Sequence, residues 1–186
     1  MNSQDPEVAE ASLAAAAPSR PDDAVALVLV NLGTPSAPEP GPVRSFLREF
    51  LSDRRVIEMN PFLWKPILEG IILRVRPREV SRKYRSIWLE QGSPLMHYTR
   101  EQARLLGERL PGVRVEVAMR YGQLSIGAAL DRLHAQGVRR VAVLPAYPHY
   151  SATTVASIND AVCAWIGRNR DGFEMRLHRS FPASPA

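Results

Sequence analysis

The chain has 186 residues, 45% of them hydrophobic, and carries 24 basic and 19 acidic side chains. A chain of this length and composition is expected to form one folded domain with a buried core. The net charge is +5, but the basic residues are spread along the chain and interleaved with acidic ones, unlike those of a basic arm. We therefore expect no nucleic-acid partner. The single cysteine, Cys163, excludes a disulfide framework within the chain and favours a reducing, cytoplasmic setting.

Residues 1–23 differ in composition from the rest of the chain. They are rich in alanine, proline, serine and acids, and they lack a basic start followed by an apolar core. This pattern is neither that of a signal peptide nor that of a typical transit peptide, and it predicts a disordered tail. Residues 24–186 are therefore expected to form the folded part.

The run from Ala24 to Val30 is the clearest structural signal. It is apolar and β-branched with no polar face, which predicts a strand buried on both sides. Gly33 and Pro35 are expected to end this strand. The segment that follows is either an ordinary tight turn or part of a binding site. In α/β proteins, ligands bind beyond the carboxyl ends of such strands.

Helical and strand patterns alternate along the remaining chain. The predicted helices are Pro42 to Leu51, a segment opened by a capping box at Thr99 to Gln102, a segment capped by Ser125, and Thr153 or Thr154 to about Arg168. The predicted strands are Val113 to Met119, Val138 to Leu144 and Phe173 to His178. This alternation predicts an α/β fold with a doubly wound parallel sheet of about four strands flanked by helices.

The predicted topology collects chemistry-bearing residues at one edge of the sheet. The segments that follow the first three strands are 31–35, 120–122 and 145–150. All of them would emerge at the carboxyl edge and line one cleft, which would contain an amide, an arginine, tyrosines and His149.

Several common kinds of site are not supported by the sequence. There is no Gly-x-Gly-x-x-Gly after the first strand, no phosphate-binding loop and no Gly-x-Ser-x-Gly elbow. The four histidines show no metal-ligand spacing, so we expect no metal site. Cys163 lies inside a predicted helix, which favours a buried structural thiol over a nucleophile.

The segment at residues 60–76 is unusually apolar, and cationic residues follow it as far as Arg85. Pro66, Lys65 and Glu69 interrupt it well short of the roughly 20 apolar residues that span a bilayer. An apolar surface beside cations suits an amphiphile that carries carboxylates, or a peripheral membrane contact through residues 62–73. A core helix followed by a solvated one is the alternative.

Five segments of the sequence together resemble ferrochelatase, the enzyme family that inserts ferrous iron into protoporphyrin. They are Val-Leu-Val-Asn-Leu-Gly-Thr-Pro at 28–35, Phe-Leu-Ser-Asp-Arg-Arg-Val at 50–56, Asn-Pro-Phe-Leu-Trp-Lys-Pro-Ile-Leu at 60–68, Gly-Ser-Pro-Leu at 92–95 and Tyr-Pro-His-Tyr-Ser-Ala-Thr-Thr at 147–154. The resemblance implies two similar lobes that hold protoporphyrin IX between them, with this chain as the amino-terminal lobe. It also implies that the proton-accepting histidine and its partner glutamate lie in the second lobe.

The resemblance implies roles for particular residues. The positions that match porphyrin-contacting ones are Leu32, Arg76, Tyr84, Ser93, Arg120 and Tyr121. Tyr147 matches a residue near the iron path, and leucine at position 32 favours protoporphyrin over coproporphyrin. Ala152 stands where some relatives place an iron–sulfur cysteine, so no cofactor is expected in this lobe.

The partners implied by the resemblance are protoporphyrin IX, ferrous iron and a second lobe or partner chain. A protein of this kind would lie in the cytoplasm or at the inner membrane surface. Two alternatives stay open: a catalytically silent porphyrin-binding lobe, and a half-size chelatase that works as a homodimer.

Overall fold

Four parallel strands form the centre of the fold, which the computed structural model describes for residues 25–182. Their order in the sheet is β2-β1-β3-β4. The strands are β1 (Val25–Thr34), β2 (Val113–Gly122), β3 (Arg140–Pro145) and β4 (Glu174–Leu177). The predicted α/β class is confirmed, and the tail predicted at residues 1–23 lies outside the described residues.

Within residues 25–182, six α-helices connect and cover the strands. They are α1 (Pro40–Ser52), α2 (Pro61–Ile67), α3 (Leu73–Ile87), α4 (Pro94–Arg109), α5 (Ile126–Ala135) and α6 (Ser157–Ile166). A π-helical turn, Leu68–Ile72, joins α2 to α3, and another, Ala152–Ala156, leads into α6.

The strand order creates a switch point at the middle of the sheet. The chain leaves β1 toward β2 and leaves β3 toward β4, in opposite directions along the sheet. A crevice therefore opens between the carboxyl ends of β1 and β3, the position at which doubly wound sheets bind ligands.

The central strand β1 is buried on both faces, as its apolar sequence predicts. Ala26, Val28 and Val30 belong to the core that includes residues of α5 and α6. Leu29 points the other way and lies against α4. Helices on both faces explain why this strand has no polar side.

Strand β1 runs further than its sequence predicts. Gly33 and Thr34 still pair with Tyr121 and Gly122 of β2. At Gly33, φ is 112°, and a Cβ atom would lie 1.9 Å from the Tyr121 carbonyl oxygen. The glycine therefore permits a close approach of two strands, where we expected a strand end.

The capping box predicted at Thr99 is wrong, because α4 begins a turn and a half earlier, after Ser93. Pro94 occupies the first helical turn, where a missing N–H costs nothing. The Thr99 hydroxyl instead donates to the Leu95 carbonyl at 2.7 Å. The cap predicted at Ser125 is confirmed, since its Oγ accepts from Ala128 N at 3.3 Å.

The expected burial of Cys163 is also wrong. Cys163 lies on α6 as predicted, but its side chain is exposed. The buried residues of that helix include Ile158, Val162 and Trp165. One step past Val162 turns the side chain about 100° around the helix, away from the core.

Replacement of Gly33 by alanine should destabilise the fold by about 3 kcal/mol, because it adds both a positive-φ strain and a clash with backbone. Gly41→Ala is the matched control, since a Cβ there meets nothing within 4 Å. Urea unfolding of the two variants measures the difference. Equal midpoints for both would contradict the close approach.

Candidate functional site

Asn31 ties together the carboxyl ends of β1 and β3 at the switch point. Its Oδ1 accepts hydrogen bonds from Tyr147 OH at 3.1 Å and from Leu32 N at 2.8 Å. Its Nδ2 donates to Thr99 Oγ1 at 3.1 Å. Burial raises the pKa of Tyr147 to about 12, so this phenol stays neutral at physiological pH.

A pocket of about 400 Å³ opens beside Asn31, between the end of α3 and the start of α4. Its lining includes Tyr84 and Ser93, two of the residues predicted to contact porphyrin, together with Tyr98 and Ile87. Burial raises the pKa of Tyr84 above its ordinary value. The pocket thus offers aromatic and aliphatic walls with a few neutral hydroxyl groups.

Arg120 and Tyr121 meet a buried carboxylate at the end of β2. Asp53 Oδ2 accepts from Arg120 Nη2 at 2.7 Å and from Tyr121 OH at 2.7 Å. It also accepts from Ser157 Oγ, and Asp53 Oδ1 accepts from Arg55 N at 2.7 Å. The Asp53 side chain is 8% exposed and that of Arg120 is 20% exposed.

The electrostatics of this Asp53 cluster keep its carboxylate charged. Burial raises the pKa of Asp53, but hydrogen bonds from Ser157, Tyr121 and the Arg55 backbone, with the charge of Arg120, outweigh it and lower the pKa. Burial also raises the pKa of Tyr121 to about 12. The cluster is therefore an anion held by neutral and cationic donors.

A second ion pair holds the segment after α1 against α6. Arg55 donates to both carboxylate oxygens of Asp160, at 2.7 and 3.1 Å. Both side chains are about half exposed, so this pair contributes little by itself. Together with Asp53 it fixes the path of the chain toward α2.

Leu32 and Arg76, two of the residues predicted to contact porphyrin, have different surroundings. Leu32 is half-buried against the core that contains Phe46 and Tyr121. Arg76 is exposed on α3, eight residues before Tyr84, which places their Cα atoms about 12 Å apart along the helix axis. The helix therefore presents a cation and a pocket-lining phenol two turns apart.

The apolar segment exposes a row of large side chains, which we call the apolar lip: Phe62, Leu63, Ile67, Ile71 and Val75. Phe62 is 90% exposed and Leu63 is 66% exposed. Other members of the predicted apolar segment face inward. Trp64 is half-buried and donates from Nε1 to the Leu51 carbonyl at 2.8 Å.

The π-helical turn between α2 and α3 keeps the buried residues at its two ends on one side, away from the apolar lip. Leu68 and Leu73 are five residues apart and are 2% and 1% exposed. In a regular α-helix they would lie about 140° apart. The extra residue of the π-turn returns Leu73 to the side of Leu68.

The other predicted edge residues have simpler surroundings. His149 is exposed, and Tyr150 is 45% exposed with the Arg179 guanidinium 4.8 Å from its ring centre. Among residues 25–182, no group of three or more histidine, cysteine, aspartate or glutamate side chains is placed to hold a metal ion. None of the helices in that range is both long and apolar enough to cross a membrane.

Asp53 and Ser157, which complete the cluster at the end of β2, were not among the predicted site residues. Asp53 stands in the matched segment at 50–56, and a lone acid directly after an amphipathic helix is a usable signal for it. Ser157 has no local signal, because its carboxylate partner is 104 residues away in sequence.

The fold and the edge residues define an α/β lobe with a candidate site at the switch point of a parallel sheet. The sequence model of the family described as Ferrochelatase matches residues 24–186. The chain belongs to the ferrochelatase family.

Three curated relatives show the extent of the similarity. The chain is 47% identical over 171 residues to "Ferrochelatase 1" of Shewanella oneidensis, covering 89% of this chain and 51% of that protein. It is 49% identical over 164 residues to "Ferrochelatase" of Methylibium petroleiphilum, covering 86% of this chain and 45% of that protein. It is 51% identical over 162 residues to "Coproporphyrin III ferrochelatase" of Symbiobacterium thermophilum, covering 86% of this chain and 51% of that protein. The chain thus spans about half the length of these relatives.

Replacement of Asp53 by asparagine should lower the free energy of unfolding by about 2 kcal/mol at pH 7, because Arg120 loses its buried partner. The pKa of Asp53 is lower in the folded protein than in the unfolded chain. The carboxylate therefore stabilises the fold fully above the ordinary aspartate pKa, and this stabilisation is lost as pH falls through the pKa of the folded state. Chemical denaturation at pH 7 and at a series of pH values below the ordinary pKa of an aspartate should show the difference between the two proteins shrinking as pH falls.

Asp160→Asn provides the control for this experiment. Its ion pair is half exposed, so the loss should stay below about 1 kcal/mol. A gap between the native chain and Asp53→Asn that is the same at every pH would contradict the proposed role of the Asp53 charge.

Proposed function

We propose that this chain is the porphyrin-binding first lobe of an enzyme that inserts ferrous iron into protoporphyrin IX to form protohaem. The observation that carries the proposal is the pocket at the switch point, where Tyr84 and Ser93 lie beside Asn31. Family membership supports the same reaction class.

The chemistry of a porphyrin fits the character of this site. A planar macrocycle with two propionates needs apolar walls and a cation that reaches carboxylates. The pocket lining offers the walls, and Arg76 on α3 is the proposed propionate anchor. The half-buried side chain of Leu32 is proposed to favour protoporphyrin over coproporphyrin. Overall sequence similarity does not distinguish these two substrates, because one relative is named for coproporphyrin III.

The proton acceptor is proposed to come from a second lobe. Metal insertion removes two pyrrole protons and therefore needs a general base. Burial holds the pKa of Tyr121 and Tyr147 near 12, so these phenols are protonated and do not act as bases at neutral pH. Asp53 is ionised, but both of its oxygens already accept hydrogen bonds.

Arg120 and Tyr121 are proposed to support the porphyrin site indirectly, by holding neighbouring residues in place. Tyr121 is 1% exposed, so its contribution to a porphyrin site is to hold Asp53 and the wall behind Leu32. Tyr147, joined to Asn31, is proposed to line the route of the iron. Iron is a substrate in this proposal, and the lobe uses no cofactor, in keeping with alanine at position 152.

We also propose that the apolar lip touches the membrane surface, with the protein located in the cytoplasm at the inner membrane. An exposed apolar row beside cations is the pattern of an interfacial contact. Arg74, Arg78 and Arg82 recur at four-residue spacing on the exposed surface of α3, which suits anionic headgroups.

The proposed reaction is tested in a fused protein, in which this chain is followed by the part of the Shewanella oneidensis relative that the match does not cover. We expect it to insert ferrous iron into protoporphyrin IX faster than into coproporphyrin III. Arg76→Ala should raise KM for the porphyrin about tenfold through loss of one charged contact, with kcat and melting temperature little changed.

Arg78→Ala is the matched control, because position 78 lies about 200° around α3 from position 76. Equal KM changes for the two variants would remove Arg76 from the site. A fused protein that unfolds cooperatively yet inserts no metal into either porphyrin would contradict the proposed reaction.

The membrane contact is tested with phosphatidylglycerol-containing vesicles and the 186-residue chain. The double replacement Phe62→Ser and Leu63→Ser should weaken vesicle binding by about tenfold or more, since both side chains would otherwise leave water. Trp64 is kept, because its indole is bonded to Leu51. Ile166→Ser, at a position 42% exposed on α6, should bind as the native chain does; equal loss in both variants would contradict the assignment.

A further inference from the structure

Thr99 is a buried residue of α4 whose hydroxyl faces the carboxyl end of β1. Its side chain is 1% exposed, and its Oγ1 lies 3.1 Å from Nδ2 of Asn31. Asn31 in turn contacts the hydroxyl of Tyr147, in the segment that follows β3. The three side chains therefore form a continuous polar chain from α4, across the end of β1, to the end of β3.

The direction of the hydrogen bond between Thr99 and Asn31 is fixed at the Thr99 end. Thr99 Oγ1 donates its only hydrogen to the Leu95 carbonyl, which lies 2.7 Å away and four residues earlier in the helix. A carbonyl oxygen can only accept, so Oγ1 has only lone pairs left for Asn31. The Asn31 side chain therefore turns its NH2 group toward Thr99 and its oxygen away from it.

The backbone of Leu32 requires the same orientation of the Asn31 amide. Leu32 lies between two paired positions of β1 and is not itself paired with β2. Its N–H donates instead to Asn31 Oδ1 at 2.8 Å. A flipped amide would place its NH2 group against this N–H and its oxygen against the Thr99 lone pairs. Both contacts would be repulsive, so one orientation satisfies both neighbours.

The orientation of Asn31 decides how the Tyr147 hydroxyl is used. Asn31 presents its oxygen, so the phenol donates its hydrogen to it, across 3.1 Å. Burial raises the pKa of Tyr147 to about 12, so this hydrogen is present at neutral pH. A phenol that donates its hydrogen keeps its lone pairs for another partner. Such an oxygen attracts a cation and, because it carries no net charge, holds it less tightly than a carboxylate would.

The opposite amide orientation would reverse the polarity of the Tyr147 hydroxyl. Asn31 Nδ2 would then donate to the phenol oxygen, and the phenol hydrogen would point toward its surroundings, where its positive partial charge repels cations. Tyr147 is the residue proposed to line the route of the iron. The amide orientation therefore determines whether ferrous iron meets lone pairs or a hydrogen at this position.

We propose that Thr99 is a positioning residue for the metal substrate: its Oγ1 holds the Asn31 amide so that the Tyr147 hydroxyl donates to Asn31 and keeps its lone pairs for ferrous iron. This inference rests on the proposed function in placing iron beside Tyr147. Thr99 does not bind iron in it and acts through Asn31. The orientation of the amide itself needs no second lobe.

Amide hydrogen exchange tests the positioning step without catalysis, in the 186-residue chain. In Thr99→Val the Asn31 amide loses an acceptor, so it samples other rotamers and the Leu32 N–H loses its partner part of the time. Exchange at Leu32 should accelerate about fivefold or more, while exchange at Val28, in the middle of β1, stays unchanged. Thr99→Ser keeps the hydroxyl and should exchange as the native chain does.

Ser81→Ala is the matched control for the loss of a buried hydroxyl. Ser81 is 0% exposed, and its Oγ donates at 2.9 Å to the Arg78 carbonyl of its own helix, α3, rather than to Asn31. This variant should leave exchange at Leu32 unchanged. Equal acceleration at Leu32 in Ser81→Ala and Thr99→Val, or no acceleration in Thr99→Val, would overturn the proposal. Thr99→Ala removes the same hydroxyl and takes its place if the valine variant does not fold.

Kinetics of the fused protein test the effect on iron. Thr99→Val should raise KM for ferrous iron about fivefold and leave KM for protoporphyrin IX unchanged, and Thr99→Ser should restore the native value. In a Tyr147→Phe background, Thr99→Val should cause no further rise, because the hydroxyl through which Thr99 acts is gone. Equal rises in the two backgrounds would overturn the proposal.

Failure of the proposed reaction gives a different result from failure of this inference. A fused protein that inserts no metal contradicts the proposed function and, with it, the role of Thr99 toward iron. Normal turnover with an unchanged KM for iron in Thr99→Val overturns the role of Thr99 alone.

Discussion

The arrangement of the sheet's carboxyl edge depends on the buried carboxylate of Asp53. Its two oxygens accept hydrogen bonds from four groups, in the segments that follow α1, end β2 and begin α6. The Arg120 Nε also donates to Ser157, whereas Arg120 Nη2 donates to the Asp53 carboxylate, and leaving part of a buried guanidinium unpaired is costly. Since β1 pairs with β2 as far as Thr34, the same contact also holds the end of the central strand.

Two surfaces of different character lie near this framework. The pocket beside Asn31 combines aromatic walls with neutral hydroxyls. The apolar lip on α2 and α3 exposes large hydrophobic side chains.

The residues at the carboxyl edge of the sheet are poorly suited to accept protons. The phenols of this edge have raised pKa values, and its one buried carboxylate is already fully hydrogen-bonded. The charge state of these groups therefore changes little near neutral pH. A proposal in which another lobe supplies the base therefore agrees with what these residues are able to do.

Local sequence determined much of this protein. The apolar run of β1, the alternation of β2, the Ser125 cap and the matched segments predict a parallel α/β lobe of the ferrochelatase family. These signals are short-range, because burial, strand pleat and helix capping act over a few residues. The same local logic failed at Thr99, where the hydroxyl bonds back into its own helix, and at Cys163, where one helical step turns the side chain outward.

Only the tertiary structure decided which distant residues meet. Asp53 and Ser157, separated by 104 residues, are joined by a hydrogen bond that no local pattern encodes. The extension of β1 through Gly33 depended on its close approach to the carbonyl of Tyr121, a residue 88 positions away in sequence. Sequence periodicity predicts that a side chain will be buried. Its contact partner depends on long-range packing, because residues far apart in sequence come into contact only when the helices and strands assemble.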